Sequence, residues 1–299
     1  MTPLPTLRQL QFFLALVHRG SFSRAADDCL VSQSTLSSAI KELEAIFQCQ
    51  LVDRSTRRFS LTPAGADVAE RAAPLLAMAE DMVRAVSGRR PLEGPFNLGV
   101  IPTIAPFLLP EAAPKIRKSF PALELYLREE MTHALVERLA AGALDAAILA
   151  FPYEAPGIDW IALGEDPFLV AGAPEHPVMK KSRISMMDLK SAPLLLLEDG
   201  HCLREHALDA CRLRDEEVSG AYAATSLFTL THMVKAGLGV TLLPKLAIDA
   251  GLAADSGLVA KPLSGSAPAR MIGVAWRKGS GRREDCQLLA ELLRPQLRR

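Results

Sequence analysis

Two cysteines nine positions apart, Cys202 and Cys211, are the residues of this 299-residue chain whose type and spacing promise chemistry. The thiolate, rather than the thiol, is the nucleophile and the form that oxidants consume. Cys202 follows the turn-like break Asp199-Gly200-His201, and Leu203 to Cys211 reads as helix. Cys202 is therefore expected near a helix N-terminus, where the dipole favours an anion. His201 and Arg204 flank it with donors and positive charge, and a reactive thiol needs such surroundings together with access. Nine residues of helix rise about 13.5 Å, whereas a disulfide tolerates Cα separations of only about 4.4–6.8 Å. If the segment is helical when reduced, a bond between these sulfurs requires the helix to unwind, and the segment becomes a two-state element. If it is loop in both states, a bond changes little. A Cys-x8-Cys metal site lacks further nearby Cys or paired His ligands.

The other cysteines, Cys29, Cys49 and Cys286, read as small buried hydrophobes or incidental thiols. Five cysteines are an odd number, and no export signal is expected, because the longest apolar run near the start, Phe12 to Val17, is too short. A disulfide scaffold is not expected, nor is a membrane span, and the reading is a soluble cytoplasmic protein. His133, His176, His206 and His232 show no ligand spacing and are expected on helix surfaces or in loops. Trp160 and Trp276 are expected to pack.

The elements that must position Cys202 belong to a β/α pattern that begins after the Gly/Pro/Arg linker Ser87–Pro95. Strands are expected at Phe96–Ile101, Leu123–Leu127, Ala146–Ala150, Phe168–Ala171, Leu194–Leu197, Val240–Leu243 and Met271–Trp276. Helices are expected at 105–120, 131–141, 227–236 and 285–297. Alternation of this kind predicts mostly parallel sheets.

The first 60 residues read instead as short helices. Apolar positions 7, 10, 13, 14 and 17 have helical spacing, and Gly20 suits the C-cap. Ser21 is a candidate N-cap for Phe22–Asp28, and Ser32 for a helix from Gln33 to about Phe47. Two helices split by a tight turn are the helix-turn-helix pattern, which predicts contact with DNA. Gln33, Ser34, Thr35, Ser37 and Ser38 are short polar groups suited to base edges in the major groove, and Lys41 suits a phosphate. Arg54, Arg57 and Arg58 lie at the tip of an expected hairpin wing, suited to phosphate or minor groove. Residues 1–62 carry seven basic and five acidic groups, a net of +2 in a chain whose total is zero. That modest surplus excludes a generic polycation and predicts specificity through symmetry. Thr62-Pro63 is a strong helix start, and Ala64, Val68, Ala72, Leu75, Ala79, Met82 and Val86 form a near-heptad stripe suited to dimerisation.

The block FSRAADDCLVSQSTLSSAIKELE (22–44) resembles the N-terminal domain of the LysR-type transcriptional regulators, and LVDRSTRRFSLTPAG (51–65) resembles that family's wing and linker-helix start. Ser34 stands where many relatives have Pro, and Gln48 where a Gly usually follows the helix. The resemblance spans essentially the whole chain. GVIPTIAPFLLP (99–110), LEDGHCLREHAL (197–208), Cys211, ATSLFTL (224–230) and GVTLLP (239–244) look like the family's peroxide-sensing members. The implied fold is α/β with an N-terminal all-α winged helix-turn-helix (1–62), a linker helix and hinge (63–94), and a two-lobed sensor domain like a periplasmic binding protein (95–299). Lobe I would comprise about 95–166 plus 270–299, and lobe II about 167–269. The resemblance also implies roles. Cys202 would be oxidised to a sulfenic acid and resolved by Cys211. Thr103 and Thr132 would hold peroxide, with His201 close by, and Arg270 would stabilise the thiolate. The implied partners are promoter DNA, a second copy or a homotetramer, RNA polymerase, hydrogen peroxide as signal, and glutaredoxin with glutathione or thioredoxin as reductant. No cofactor is implied. Two other readings stand beside this one, a regulator binding an organic metabolite between the lobes and a thiol peroxidase. The helix-turn-helix argues against the peroxidase.

Overall fold

Leu10, Phe13 and Leu16 recur at helical spacing, and all are buried on one face of α1 (Leu7–Arg19). A capping box between Thr6 and Gln9 starts this helix, and Gly20, at φ 58°, ends it. The computed structural model describes residues 3–53, 59–86, 88, 90–211, 224–265 and 268–297. It divides into two units, residues 1–89 with 140–143 and residues 90–139 with 144–299.

In the first unit α2 (Phe22–Asp28) and α3 (Gln33–Phe47) pack with α1 around Phe12, Phe13, Leu36, Ile40 and Leu43. Ser32 caps α3, its hydroxyl accepting from Thr35 N. Ser21 has extended cap geometry before α2, but its hydroxyl makes no capping bond. Gln48 takes the left-handed conformation (φ 54°) that closes α3, so the turn forms without the glycine usual there. β1 (Val52–Asp53) pairs antiparallel with β2 (Ser60–Leu61), the base of the expected wing. α4 (Pro63–Val86) starts at Thr62, whose hydroxyl accepts from Gly65 N at 3.0 Å. A Cβ at Gly65 would lie 2.0 Å from Leu51 O, so this close crossing admits only glycine. The apolar stripe of α4 is divided. Ala64, Val68 and Ala72 join the core of this unit, whereas Leu75, Met82 and Val86 are 50, 70 and 83% exposed.

The second unit is built on one eight-stranded mixed sheet. Its strands are β3 (Gly94–Val100), β4 (Leu123–Glu129), β5 (Ala146–Phe151), β6 (Ile158–Gly172), β7 (Leu194–Leu195), β8 (Val240–Pro244), β9 (Val259–Pro262) and β10 (Ala269–Arg277). Their order is β4-β3-β5-β10-β6-β8-β7, with β9 also on β6. β3 runs parallel to β4 and β5, and β7 to β8. The pairs β5–β10, β10–β6, β6–β8 and β6–β9 are antiparallel. The expectation of mostly parallel sheets is thus corrected. The difference lies in β6 and β10, which pair antiparallel from Ala269–Pro167 to Arg277–Ile158. The apolar runs marked only the buried end of β6, because its first half is largely half-buried or exposed.

Two apolar cores flank this pair. The first holds Phe96, Leu98, Val100 and Ile148 with residues of α5 (Ala105–Ser119), α6 (Thr132–Ala140) and α13 (Arg283–Leu297). The second holds Phe168, Val170, Val240 and Leu242 with α7 (Pro177–Lys180), α8 (Met186–Lys190), α9 (Cys202–Cys211), α10 (Leu227–Lys235), α11 (Lys245–Asp249) and α12 (Leu252–Asp255). α9 joins them, because Cys202 packs in the first core and its neighbour Leu203 in the second. Among the described residues no helix is long and apolar enough to cross a membrane.

Candidate functional site

Cys202 is the first residue of α9, and the backbone remains helical to Cys211. Three elements bring polar groups toward it. Thr132 opens α6, Arg270 lies near the start of β10, and Thr103 sits in the turn between β3 and α5. All three are 3% exposed or less.

All three nitrogens of the Arg270 guanidinium are engaged. Nη1 donates to Thr103 Oγ1 at 2.8 Å and Nη2 to the Thr103 carbonyl at 3.0 Å. Nε donates to Asp166 Oδ2 at 3.0 Å, and Nη2 lies 3.0 Å from the same oxygen. The other oxygen of Asp166 accepts from Leu246 N, in the first turn of α11, at 2.9 Å. One carboxylate therefore ties β6, β10 and α11 together.

Burial pushes the Cys202 thiol above its ordinary range, and the charge of Glu205 pushes the same way. The hydroxyl of Thr132 and the positive charge of Arg270 act in the opposite sense, but burial prevails. The expectation of an accessible thiol with a lowered pKa at a helix N-terminus is corrected: Cys202 is 6% exposed, and the first turn of a helix does not offset removal from water. Thr132 Oγ1 has no hydrogen-bond partner in this arrangement. It is a buried donor close enough to the sulfur to stabilise a thiolate once one forms.

His201 is buried, and burial lowers its pKa against the opposing pull of Glu198, so the ring is neutral near pH 7. Arg204 is turned to Asp199, 3.0 Å away, and to the Leu197 carbonyl at 3.3 Å. Its charge is thereby taken up outside the thiol pocket. His206 is buried one turn after Cys202, which corrects its expected place on a helix surface. Its Nε2 lies 2.8 Å from Pro152 O. A carbonyl only accepts, so Nε2 carries the proton and the partnerless Nδ1 is a bare acceptor. Next to Thr103 a cavity of about 190 Å³ opens, with Thr103, Glu129, His201, Thr225 and Ser226 as polar lining and Phe107, Leu227 and Phe228 in its apolar wall.

In the first unit Gln33, Ser34, Thr35, Ser38 and Lys41 are exposed on α3, and Ser37 is half-buried. The hydroxyls of Ser34 and Thr35 both lie 2.8 Å from Ser32 Oγ, which fixes them at the start of the helix. Arg54, Arg57 and Arg58 lie outside the described residues. Cys49 is exposed and Cys29 half-buried, so neither is the fully buried hydrophobe expected, whereas Cys286, read as structural or incidental, is buried. Trp276 is buried as expected, but Trp160 is 44% exposed and stacks on Phe151 at 4.0 Å.

Sequence reasoning missed Asp166 and His206. For the first, two adjacent carboxylates, Glu165 and Asp166, precede the apolar run Phe168–Ala171, and nothing local separates the exposed Glu165 from the buried Asp166. For the second, the i,i+4 spacing from Cys202 placed it on the same helix face.

Residues 7–66 match the family described as bacterial regulatory helix-turn-helix protein, lysR family, and residues 89–298 match the LysR substrate binding domain. The chain is 38% identical over 292 residues to the DNA-binding transcriptional dual regulator OxyR of Escherichia coli K12, covering 97% of this chain and 95% of that one. A full-length OxyR cysteine variant from Pseudomonas aeruginosa superposes with a TM-score of 0.81 at 33% identity, covering 98% and 95% of the two chains. A hydrogen-peroxide-bound cysteine-to-serine variant of Corynebacterium glutamicum OxyR gives 0.68 at 34% identity, covering 100% and 94%.

Proposed function

The chain belongs to the LysR family of transcriptional regulators, in its OxyR group, and from that premise we propose that it senses hydrogen peroxide through Cys202 and converts the signal into altered promoter binding. The observation that carries this reading is the buried group of Cys202, Thr132, Arg270 and Thr103, which gathers two hydroxyls and a guanidinium at one buried thiol. A relative bound to hydrogen peroxide supports the choice of signal.

In this reading the Cys202 thiolate attacks one peroxide oxygen and the O–O bond breaks. The departing hydroxide takes a proton to become water, leaving a sulfenic acid on Cys202. Thr103 and Thr132 hold the peroxide by hydrogen bonds, with His201 close by. Arg270 balances the charge that passes from sulfur to the leaving oxygen. The Cys211 thiolate then attacks the sulfenic sulfur, and a second water leaves as the disulfide forms. Two electrons have passed from the thiols to peroxide, and a dithiol or glutathione system (glutaredoxin or thioredoxin) returns them.

The helical span from Cys202 to Cys211 supports the coupling to shape. Its nine-residue rise of about 13.5 Å exceeds the reach of a disulfide, about 6.8 Å between Cα atoms. Oxidation would therefore unwind α9, which contributes to both cores of the sensor. The exposed stripe of α4 supports pairing with a second copy, and the exposed polar face of α3 supports reading of promoter DNA by such an oligomer. RNA polymerase is then the partner that reads the change. The size of the cavity favours a small ligand. About 190 Å³ lies below the usual range of organic-ligand sites, about 300–1,000 Å³.

Peptide mass spectrometry of the reduced full-length protein, before and after one equivalent of hydrogen peroxide, tests the reading. A fast, dithiothreitol-reversible loss of two hydrogens mapping to Cys202 and Cys211 is expected, with a changed promoter footprint. Slow, scattered oxidation without that bond would overturn it and leave a metabolite-responsive regulator, recognisable by a ligand-dependent rise in Tm.

A further inference from the structure

Arg270 is the strongest positive charge near Cys202, yet it is not free to act with full strength. Both its nitrogens on one edge face a single oxygen of Asp166 at 3.0 Å. The two side chains are 0 and 1% exposed, so water screens neither. At that depth an ion pair presents the field of a dipole to its surroundings, and the pull on a third group falls well below that of a lone cation. The carboxylate is itself fixed by the backbone N–H of Leu246, so it cannot follow the guanidinium if that moves.

We propose that Asp166 is a positioning residue that seats the Arg270 guanidinium on Thr103 and holds back its charge from Cys202, so that the resting protein keeps this sulfur as a thiol. The inference rests on the reading of Cys202 as the peroxide-reactive thiol for its biological meaning. Its physical content concerns only how readily Cys202 loses a proton.

Two buried histidines stand near that proton, His201 beside Cys202 and His206 one turn on, and burial lowers the pKa of each. Glu205 lies on the same helix as Cys202, Thr132 comes from α6, Arg270 from β10, and Tyr153 from the segment after β5. Tyr153 and Glu205 both disfavour or fail to stabilise a thiolate, so Arg270 is the one charge that favours it. Whatever sets the effective charge of Arg270 therefore shifts the thiolate fraction, alongside the larger influences of burial and the Thr132 hydroxyl. A sensor that exposed the full charge would oxidise at lower peroxide, and would do so even in unstressed cells.

The test is the titration of Cys202 in the full-length reduced protein. It is read as the ultraviolet thiolate absorbance of each variant minus that of its Cys202→Ser counterpart. Asp166→Asn is expected to lower the midpoint by about one pH unit, which is about tenfold more thiolate at neutral pH. Asp166→Glu, which keeps the charge, is expected to stay near the wild-type value. An unchanged or raised midpoint in Asp166→Asn overturns the proposal. If that variant does not fold because Arg270 is left uncompensated, the double variant Asp166→Asn/Arg270→Gln decides, since it removes the pair together and buries no bare charge. Its midpoint is expected within about half a unit of wild type, because the pair nearly cancels. A rise of a full unit or more would show that Asp166 does not temper Arg270, and would overturn the proposal. Failure of the peroxide reading shows itself elsewhere, as a wild-type protein that forms no Cys202–Cys211 bond.

Discussion

Two buried cysteines in the same apolar core, Cys202 and Cys286, each stand beside a buried arginine, and their surroundings differ in sign. Arg282 is held by two carboxylates, Asp145 and Asp285, each at 2.8 Å, and it also donates to the Pro95 carbonyl at 2.8 Å. Phe96 lies under its guanidinium at 5.2 Å. Asp285 in turn accepts from Leu92 N at 2.7 Å. This network fastens the chain's entry into β3 to the start of α13. Its excess negative charge adds to burial and drives the Cys286 thiol far above its ordinary range. Around Cys202 the balance is reversed: Arg270 and the Thr132 hydroxyl oppose burial, and one carboxylate rather than two shares the guanidinium. Burial alone therefore does not make a thiol inert. The charges and hydroxyls arranged around it decide whether its anion is reachable.

The comparison is broken most directly by deleting each sulfur. Cys202→Ser is expected to abolish the peroxide-driven disulfide and the footprint change while leaving the fold intact. Cys286→Ala should leave both within about twofold and cost about 1 kcal/mol of stability for the small cavity. Equal loss of response in the two variants would show that the charge environment does not distinguish them. The arginines come next. Arg282→Ala removes the cation that Asp145 and Asp285 share and should lower unfolding stability by about 3–5 kcal/mol, seen as a fall in Tm. Its effect on the oxidation of whatever protein remains folded should be small.

Thr103→Val sharpens the difference further. It deletes the hydroxyl that accepts from Arg270 Nη1 and lines the cavity. Oxidation of Cys202 is expected to slow by about tenfold, the size of one lost hydrogen bond in a transition state, about 1.4 kcal/mol. DNA affinity of the reduced form should not change. Stopped-flow kinetics with wild-type speed would remove Thr103 from the peroxide site.

Much of this was legible in the chain, unevenly. Helix starts with local chemistry were read correctly, as at Ser32 and Thr62, because a cap depends only on residues three positions apart. The break before Cys202 and the helix after it were read for the same reason. Long-range pairing was not. Nothing local in Ile158–Gly172 reports that it lies antiparallel to a strand more than a hundred residues later, so the sheet was expected to be mostly parallel. The pocket shows the same divide. Composition and spacing marked Cys202, but only the resemblance pointed to Thr132 and Arg270, which act on the thiol, and to Thr103, which holds Arg270, and these come from three separate elements. Asp166 escaped because its partner lies 104 residues away. Burial, too, is a property of the assembled core, which is why the Cys202 thiol was expected to be more acidic than it is.

The smallest expected effect is on stability at high pH, and it separates the two thiols by slope. An unfolded cysteine ionises near pH 8.5, whereas both thiols hold their protons to higher pH in the folded protein. Below that pH both states are protonated and the contribution to stability is fully present. Above it the unfolded chain releases a proton that the folded chain retains, so stability falls as pH rises. The loss for one such thiol is at most about 1.4 kcal/mol per pH unit. For Cys286, whose neighbours are acidic, the loss should continue through the alkaline range. For Cys202 it should level off sooner, where the Thr132 hydroxyl and the part of the Arg270 charge that Asp166 leaves let the folded-state thiolate form. Urea unfolding between about pH 8.5 and 10 checks this, with wild type compared against Cys286→Ala and Cys202→Ser. The alanine variant should show the larger flattening. If the two substitutions flatten the profile equally, Arg270 and Thr132 do not stabilise the Cys202 anion, and the contrast between the two pockets reduces to depth of burial.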